Sequence, residues 1–188
     1  MVQSDVGVFD QRLIVAAVIG IDLSLIHISR AHRSARAAPV KLALIGDPVA
    51  HSRSPELHGQ FLEEAGIEGT YVVIRVPKGG GADAVRRLRE EGYTGVNVTT
   101  PLKEEVLAAC ESLDEDARMS EAVNTIFFGG KVMGSNTDGV GARKALETIL
   151  GQPVALERIG ILGTGATARA ILAQLHETDA YTLSLIHI

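Results

Sequence analysis

Four short polar stretches interrupt a chain otherwise rich in apolar residues, and each carries side chains able to do chemistry. HSRSP sets two hydroxyls, Ser52 and Ser54, two positions apart beside His51. NVTTPLK joins an amide (Asn97), a hydroxyl (Thr99) and an ammonium (Lys103). AVNT places Asn124 among apolar neighbours, where a buried amide needs hydrogen-bond partners. SNTDG groups Asn136, Thr137 and Asp138. Plain structural roles compete for several of these. Ser54 can cap a helix that opens at Ser54-Pro55-Glu56, and Thr137 or Asp138 can cap the helix that follows it. Lys103 can be a solvated helix lysine. Capping leaves Ser52 and His51 unexplained.

The elements that must position these residues alternate. KLALIG (Lys41 to Gly46) reads as a buried strand ending in a turn, and the helix from Ser54 runs to about Ala65 and stops at Gly66. TYVVIRV (Thr70 to Val76) is a strand, ADAVRRLREEG a helix ending at Gly92, and YTGVNVT a strand. Thr100-Pro101 is expected to cap a further helix, LKEEVLAAC. Strand and helix joined by short links predict an α/β fold with a parallel sheet and helices on its faces. AVNTIFFGGKVMGSNT instead reads as a hairpin about Gly129-Gly130, followed by a helix from Asp138 through Leu150. Asn97, Thr99 and Lys103 then lie at the C-terminal end of a buried strand, the edge where open α/β sheets bind ligands.

RIGILGTGATARAILAQL starts a second unit: a strand (Arg158 to Leu162), a glycine turn and a helix. Gly163-x-Gly165-x-x-Ala168 matches the dinucleotide fingerprint in its G-x-G-x-x-A form, in the strand–turn–helix context it requires. Gly163 permits the tight turn, and Gly165 admits a pyrophosphate to the helix N-terminus. An ordinary tight turn is the competing reading. A next strand is expected at YTLSLIHI, where the sequence ends.

The 188 residues are 46% hydrophobic and 22% charged, which suits a globular chain with a buried core. A formal charge of −5 argues against nucleic-acid binding. The single cysteine, Cys110, allows no intramolecular disulfide, suits a reducing cytoplasm, and reads as a helix-face residue rather than a nucleophile. The apolar stretch RLIVAAVIGIDLSLIHIS is too short for a membrane span and is interrupted by Asp22. Arg30, Arg33 and Arg36 fall where a signal peptide would be uncharged. LSLIHI occurs at Leu23–Ile28 and again at Leu183–Ile188 with no repeat between, and is similar to translated sequencing-adapter sequence. Residues 1–38 are therefore expected to be a leader foreign to the fold, disordered or artefactual, and dispensable. No metal-ligand spacing stands out among the scattered histidines.

GDPVAHSRSPELH, NVTTPLKEE, AVNTI, NTDGVG and GTGATARA together resemble the shikimate dehydrogenase family in order and spacing, over about Val40 to Leu175. The resemblance implies an α/β substrate domain (39–138), followed by the beginning of a Rossmann cofactor domain (139–188) that is incomplete at its C-terminus. It implies NADPH-dependent, reversible reduction of 3-dehydroshikimate to shikimate on the route to chorismate and aromatic amino acids, by a cytoplasmic monomer or homodimer that uses no metal. Lys103 and Asp138 would be the catalytic pair. Ser52 and Ser54 would hold the substrate carboxylate, with Thr99, Asn124 and Asp138 on the ring hydroxyls. Gly163, Gly165, Ala166, Thr167 and Ala168 would receive the NADP pyrophosphate. Gly59 replaces the family's usual asparagine, and Thr164 and Ala166-Thr167 vary its glycine-rich turn. The family's NADP-selecting segment and a late substrate-binding glutamine would fall beyond Ile188. The chain as it stands is thus expected to bind NADPH weakly or not at all and to reduce 3-dehydroshikimate negligibly, with the apolar faces of Ile159 to Leu162 and Leu183 to Ile188 partly exposed. An NAD-using quinate/shikimate dehydrogenase and a non-catalytic polyol-binding module are the alternatives.

Overall fold

The computed structural model describes residues 38–154, 159–161 and 163–175. Expectations about the leader, both LSLIHI copies, Leu162 and the strand at YTLSLIHI lie outside them. The helices and strands are β1 (Val40–Gly46), α1 (Ser54–Ala65), β2 (Gly69–Arg75), α2 (Gly81–Glu90), β3 (Gly95–Val98), a 3-10 helix (Glu105–Ala109), β4 (Ser112–Leu113), α3 (Glu115–Ser120), β5 (Thr125–Phe128), β6 (Val132–Ser135), α4 (Asp138–Leu150) and α5 (Ala166–Leu175).

The six strands form one sheet in the order β2-β1-β3-β5-β6-β4. β1 pairs in parallel with β2 and β3, as the alternating pattern predicts. The sheet is nevertheless mixed rather than parallel throughout, because the hairpin enters it: β5 runs antiparallel to both β3 and β6, and β6 takes β4 in parallel. β1 is central and buried on both faces except at Lys41, which is why it reads as an unbroken apolar run. Alternate residues serve opposite faces. Ala43 and Ile45 join Val85 and Leu88 of α2 with Val96, Val98 and Ile126, while Leu42 joins Leu62 of α1 and Phe127. β2 lies at the sheet edge, and its residues are half-buried or exposed, alternating over Gly69–Val73.

Three local expectations are corrected. Ser54 does not cap α1: Arg53 occupies the N-cap without a side-chain cap bond, and the Ser54 amide donates instead to Ser52 Oγ at 3.2 Å. LKEEVLAAC forms only the short 3-10 helix, with neither Thr100 nor Pro101 capping it. The Lys103 carbonyl that a longer helix would use accepts from Val123 N at 2.8 Å, and the Glu105 carboxylate accepts from the amides of Gly79 and Gly81 at the entry to α2. A long-range bond thus takes a carbonyl that local helix formation would need, while the Glu105 side chain ties the segment to α2. The start of the second unit also has more cover than its sequence suggests. Ile161 is 9% exposed and packs with Val154 and Leu175, with Ile159 and Leu172 partly buried against them. β4 and α3 have no counterpart in the sequence pattern; Asp114 caps α3 by accepting from Ala117 N at 2.7 Å.

Candidate active site

Topology gathers the polar clusters. The parallel strands β1 and β3 end at one edge of the sheet, and the loops leaving them carry Ser52, Ser54, Thr99 and Lys103. Because β5 is reversed, its beginning lies at that edge, with Thr125 opposite Asn97. Reversal again in β6 returns its end there, with Ser135 opposite Thr125. Asn124 precedes β5, and Asn136–Asp138 follow β6. Main-chain bonds pin the arrangement: Thr99 N to Ile45 O at 2.9 Å, Val98 N to Asn124 O at 2.8 Å and Asn124 N to Ser135 O at 3.0 Å. Gly46 permits the closest approach, since a Cβ there would lie 2.4 Å from Thr99 Cγ2 and 2.9 Å from Thr100 O.

At one end of this edge Lys103 Nζ donates to Asp138 Oδ2 at 2.5 Å, the two side chains being only 13% and 20% exposed. Asn124 Nδ2 donates to Asp138 Oδ1 at 2.7 Å and to Thr137 Oγ1 at 3.0 Å. Its carbonyl oxygen accepts from Thr137 N and Thr125 Oγ1, each at 3.0 Å. The Asn124 amide is therefore committed to holding Asp138 and its loop. Asp138 opens α4, where the helix dipole favours a negative charge. Burial pushes its carboxyl upward, but the hydrogen bond and charge of Lys103, with hydrogen bonds from Thr167 and Asn124, outweigh burial and hold it below the ordinary aspartate value. Asn136, 1% exposed, is anchored by donating to Ser120 Oγ at 2.9 Å and Ala122 O at 3.1 Å, and its Oδ1 accepts from Asp138 N.

At the other end, Ser52 Oγ donates to Ser54 Oγ at 3.0 Å. A cavity of about 290 Å³ opens there, lined by Leu44, Val49, His51, Ser52, Ser54 and Thr99. This gives the second serine and His51 the place that capping could not. A second cavity, of about 550 Å³, is lined by Glu104, Leu107, Arg118 and Arg169 among others, and none of Lys103, Asn124, Asp138 or Thr167 lines it.

Tyr71, which the sequence did not single out, joins Asn97, which it did, in a line of hydrogen bonds toward Asn124. Tyr71 OH donates to Asn97 Oδ1 at 2.8 Å, and Asn97 Nδ2 donates to Thr125 Oγ1 at 3.4 Å, which passes the chain on to Asn124. Tyr71 is packed under His58, with ring centroids 4.2 Å apart. Burial raises the Tyr71 phenol, opposed by a hydrogen bond with Ser54, and burial lowers His58, opposed by its bond to Ser54 O. The one sequence sign was the single aromatic residue of the strand, Tyr71. Cys110 fits its expected inert role: burial pushes its thiol up to about 11.

The glycine segment Gly163–Gly165 leads directly into α5, while of the strand expected before it the described residues show only a bridge at Ile159. Gly163 has φ +107°, a left-handed conformation suited to glycine. A Cβ at Gly163 or Gly165 would meet nothing within 4 Å among the described residues, and Gly165 directly precedes the first residue of α5, Ala166. Side chain and backbone part company at Thr167. Its hydroxyl points to the ion pair, donating to Asp138 Oδ2 at 2.9 Å and accepting from Lys103 Nζ at 3.2 Å. Among the described residues no cluster of three or more histidine, cysteine or acidic side chains could hold a metal, and no helix is long and apolar enough to cross a membrane.

Fold and site define an α/β domain with a lysine–aspartate pair at one sheet edge, leading into a glycine-containing turn before α5. Residues 44–126 match the shikimate dehydrogenase substrate binding domain. The shikimate dehydrogenase (NADP(+)) of Thioalkalivibrio sulfidiphilus is 41% identical over 137 residues, covering 72% of this chain and 50% of the relative. The Thermus thermophilus shikimate 5-dehydrogenase, solved with NADP(H) and shikimate, superposes with a TM-score of 0.69 at 33% identity over 78% of this chain and 56% of that one. The Aquifex aeolicus shikimate dehydrogenase gives 0.73 at 29% identity over 80% and 56%. Over this substrate-domain match the chain is similar to the shikimate dehydrogenases, and it spans about half the length of the curated relatives it matches.

Proposed function

We propose that the chain carries the substrate site of an NADPH-dependent oxidoreductase that reduces 3-dehydroshikimate reversibly to shikimate, in the cytoplasmic route to chorismate and aromatic amino acids. Residues 39–138 would form the substrate-binding and catalytic domain, and residue 139 onward the cofactor domain. The observation that carries this reading is the ion pair of Lys103 and Asp138 at the same sheet edge as the Ser52–Ser54–Thr99 hydroxyls. A site for neutral polyol binding alone would have no use for a desolvated ammonium.

Ser52 and Ser54 offer hydroxyl donors to the substrate carboxylate, and Thr99 and Asp138 offer an acceptor and donor set to ring hydroxyls. Asn124 acts mainly through Asp138, since its amide is already committed there. The fingerprint segment suits a pyrophosphate: the main chain of Gly163, Gly165, Ala166, Thr167 and Ala168 would hold it at the N-terminus of α5. NADPH supplies the hydride when bound. As negative charge develops on the carbonyl oxygen, the Lys103 ammonium stabilises it and delivers a proton from Nζ. Asp138, held ionised, keeps that ammonium oriented.

Calorimetric titration with shikimate tests the binding half on the chain itself; saturable one-to-one binding is expected, weakened in Ser52→Ala. Turnover is measured in the chain and in a chimera that continues it with the remaining half of a full-length relative. A folded chain that binds no shikimate, joined to a chimera that reduces no 3-dehydroshikimate, would remove this reading.

A further inference from the structure

Thr167 is the point where the dinucleotide turn touches the ion pair. With Lys103 Nζ bonded to Asp138 Oδ2, the Thr167 hydroxyl closes a ring of three hydrogen bonds, donating to the carboxylate and accepting from the ammonium. Several independent contacts hold α5 in this place. Gly139 lets α4 and α5 touch main chain to main chain, for a Cβ there would fall 2.1 Å from Ala170 O. Arg169 donates to Ser120 O at 2.8 Å and pairs with Glu104 at 2.5 Å. Gln174 donates to Asp116 Oδ1 at 2.5 Å.

We propose that Thr167 is a positioning residue whose hydroxyl locks Lys103 and Asp138 into one geometry from the dinucleotide side of the molecule. Its value to the chain rests on the reading of that pair as the proton-transferring centre. The geometry gives the hydroxyl a task that its methyl group cannot share. An ammonium with a single carboxylate partner can swing about that contact. With the hydroxyl as a second acceptor, itself tied to the same carboxylate oxygen, that swing is stopped. The pair then keeps its place only while α5 is seated, which links the order of the turn to the order of the site.

Lysine acylation at low reagent concentration, read residue by residue by mass spectrometry on the full chain, tests this without any need for turnover. Lys41, Lys78, Lys131 and Lys144 serve as internal controls. In Thr167→Val, which keeps the shape and loses the hydroxyl, Lys103 should be labelled roughly 2- to 10-fold faster, the span of one net hydrogen bond, with the controls unchanged. Thr167→Ala should behave likewise, and Thr167→Ser should label at the wild-type rate. A packing role predicts the reverse order, because valine preserves the methyl contacts and serine loses one. An unchanged or slower Lys103 rate in Thr167→Val and Thr167→Ala, or serine behaving as valine does, overturns the proposal. Should the chimera fail to turn over while valine still frees Lys103, the enzymatic reading fails and the positioning role stands.

Discussion

The two ends of the sheet edge are built on opposite terms. At the serine end, neutral hydroxyls from one loop line an open cavity of about 290 Å³, and their nearest partners are each other. At the lysine end, Lys103, Asn124, Asp138 and Thr167 arrive from four separate segments and are held by hydrogen bonds to one another. Under the proposed function the contrast is a division of labour. Groups that recognise a ligand must keep bonding capacity to offer it, whereas groups that move a proton must first be held still. Desolvating a charge is tolerable only when its partners are fixed in advance.

Removing the charge at the lysine end should give the largest effect. Lys103→Ala is expected to lower kcat by roughly 100-fold or more in the chimera with little change in KM, the pattern of a positioned acid. A near-normal kcat would erase the contrast between the ends. Asp138→Asn should lower kcat by about 10-fold or more, and it has a second signature in stability against pH. The folded Asp138 carboxyl sits below its unfolded value, so its contribution is present above the ordinary aspartate pKa of about 4 and is lost as pH falls through the lower folded value. Denaturation midpoints from pH 6 down to 2 should therefore fall less steeply in Asp138→Asn than in the parent; identical curves would count against the coupling to Lys103.

At the serine end, Ser52→Ala or Ser54→Ala should weaken shikimate binding by about 10-fold, the order of one charge-assisted hydrogen bond, while kcat changes less. An equal loss in kcat would show that the ends do not divide binding from chemistry. Between helices, Gly139→Ala should force α4 and α5 apart at a cost of about 1–3 kcal/mol, visible as a lower melting temperature and as faster acylation of Lys103. Tyr71→Phe should have the smallest effect, about 1 kcal/mol of stability from the lost bond to Asn97, with kcat nearly intact.

Much of this was legible beforehand where the signal is local. The apolar run of β1, the glycine stop at Gly66 and the glycine turn of the hairpin all report their structure through periodicity and backbone freedom. The site was legible as four polar interruptions whose order resembles one family, although spacing alone left Lys103 open between solvent and site. What escaped notice was non-local. LKEEVLAAC has helix-forming composition, yet the Lys103 carbonyl is claimed by Val123, twenty positions along the chain. Thr167 belonged by motif to the cofactor turn, and nothing in the motif says where its side chain points.

The sequence by itself determined the alternation of strands and helices, the hairpin, the fingerprint turn and the residue types available for chemistry, because propensity, hydrophobic period and turn geometry act over a few neighbouring residues. Only the tertiary structure decided that the hairpin would make the sheet mixed and bring Asn124 and Asp138 to the edge that carries Lys103. Only it decided that the Asn124 amide would be committed to Asp138 and that Thr167 would close on the ion pair. Those outcomes depend on strand direction and helix seating, where one reversed pairing or one glycine contact sets which distant polar groups meet. Buried polar groups must then find partners among whatever the fold has brought within reach.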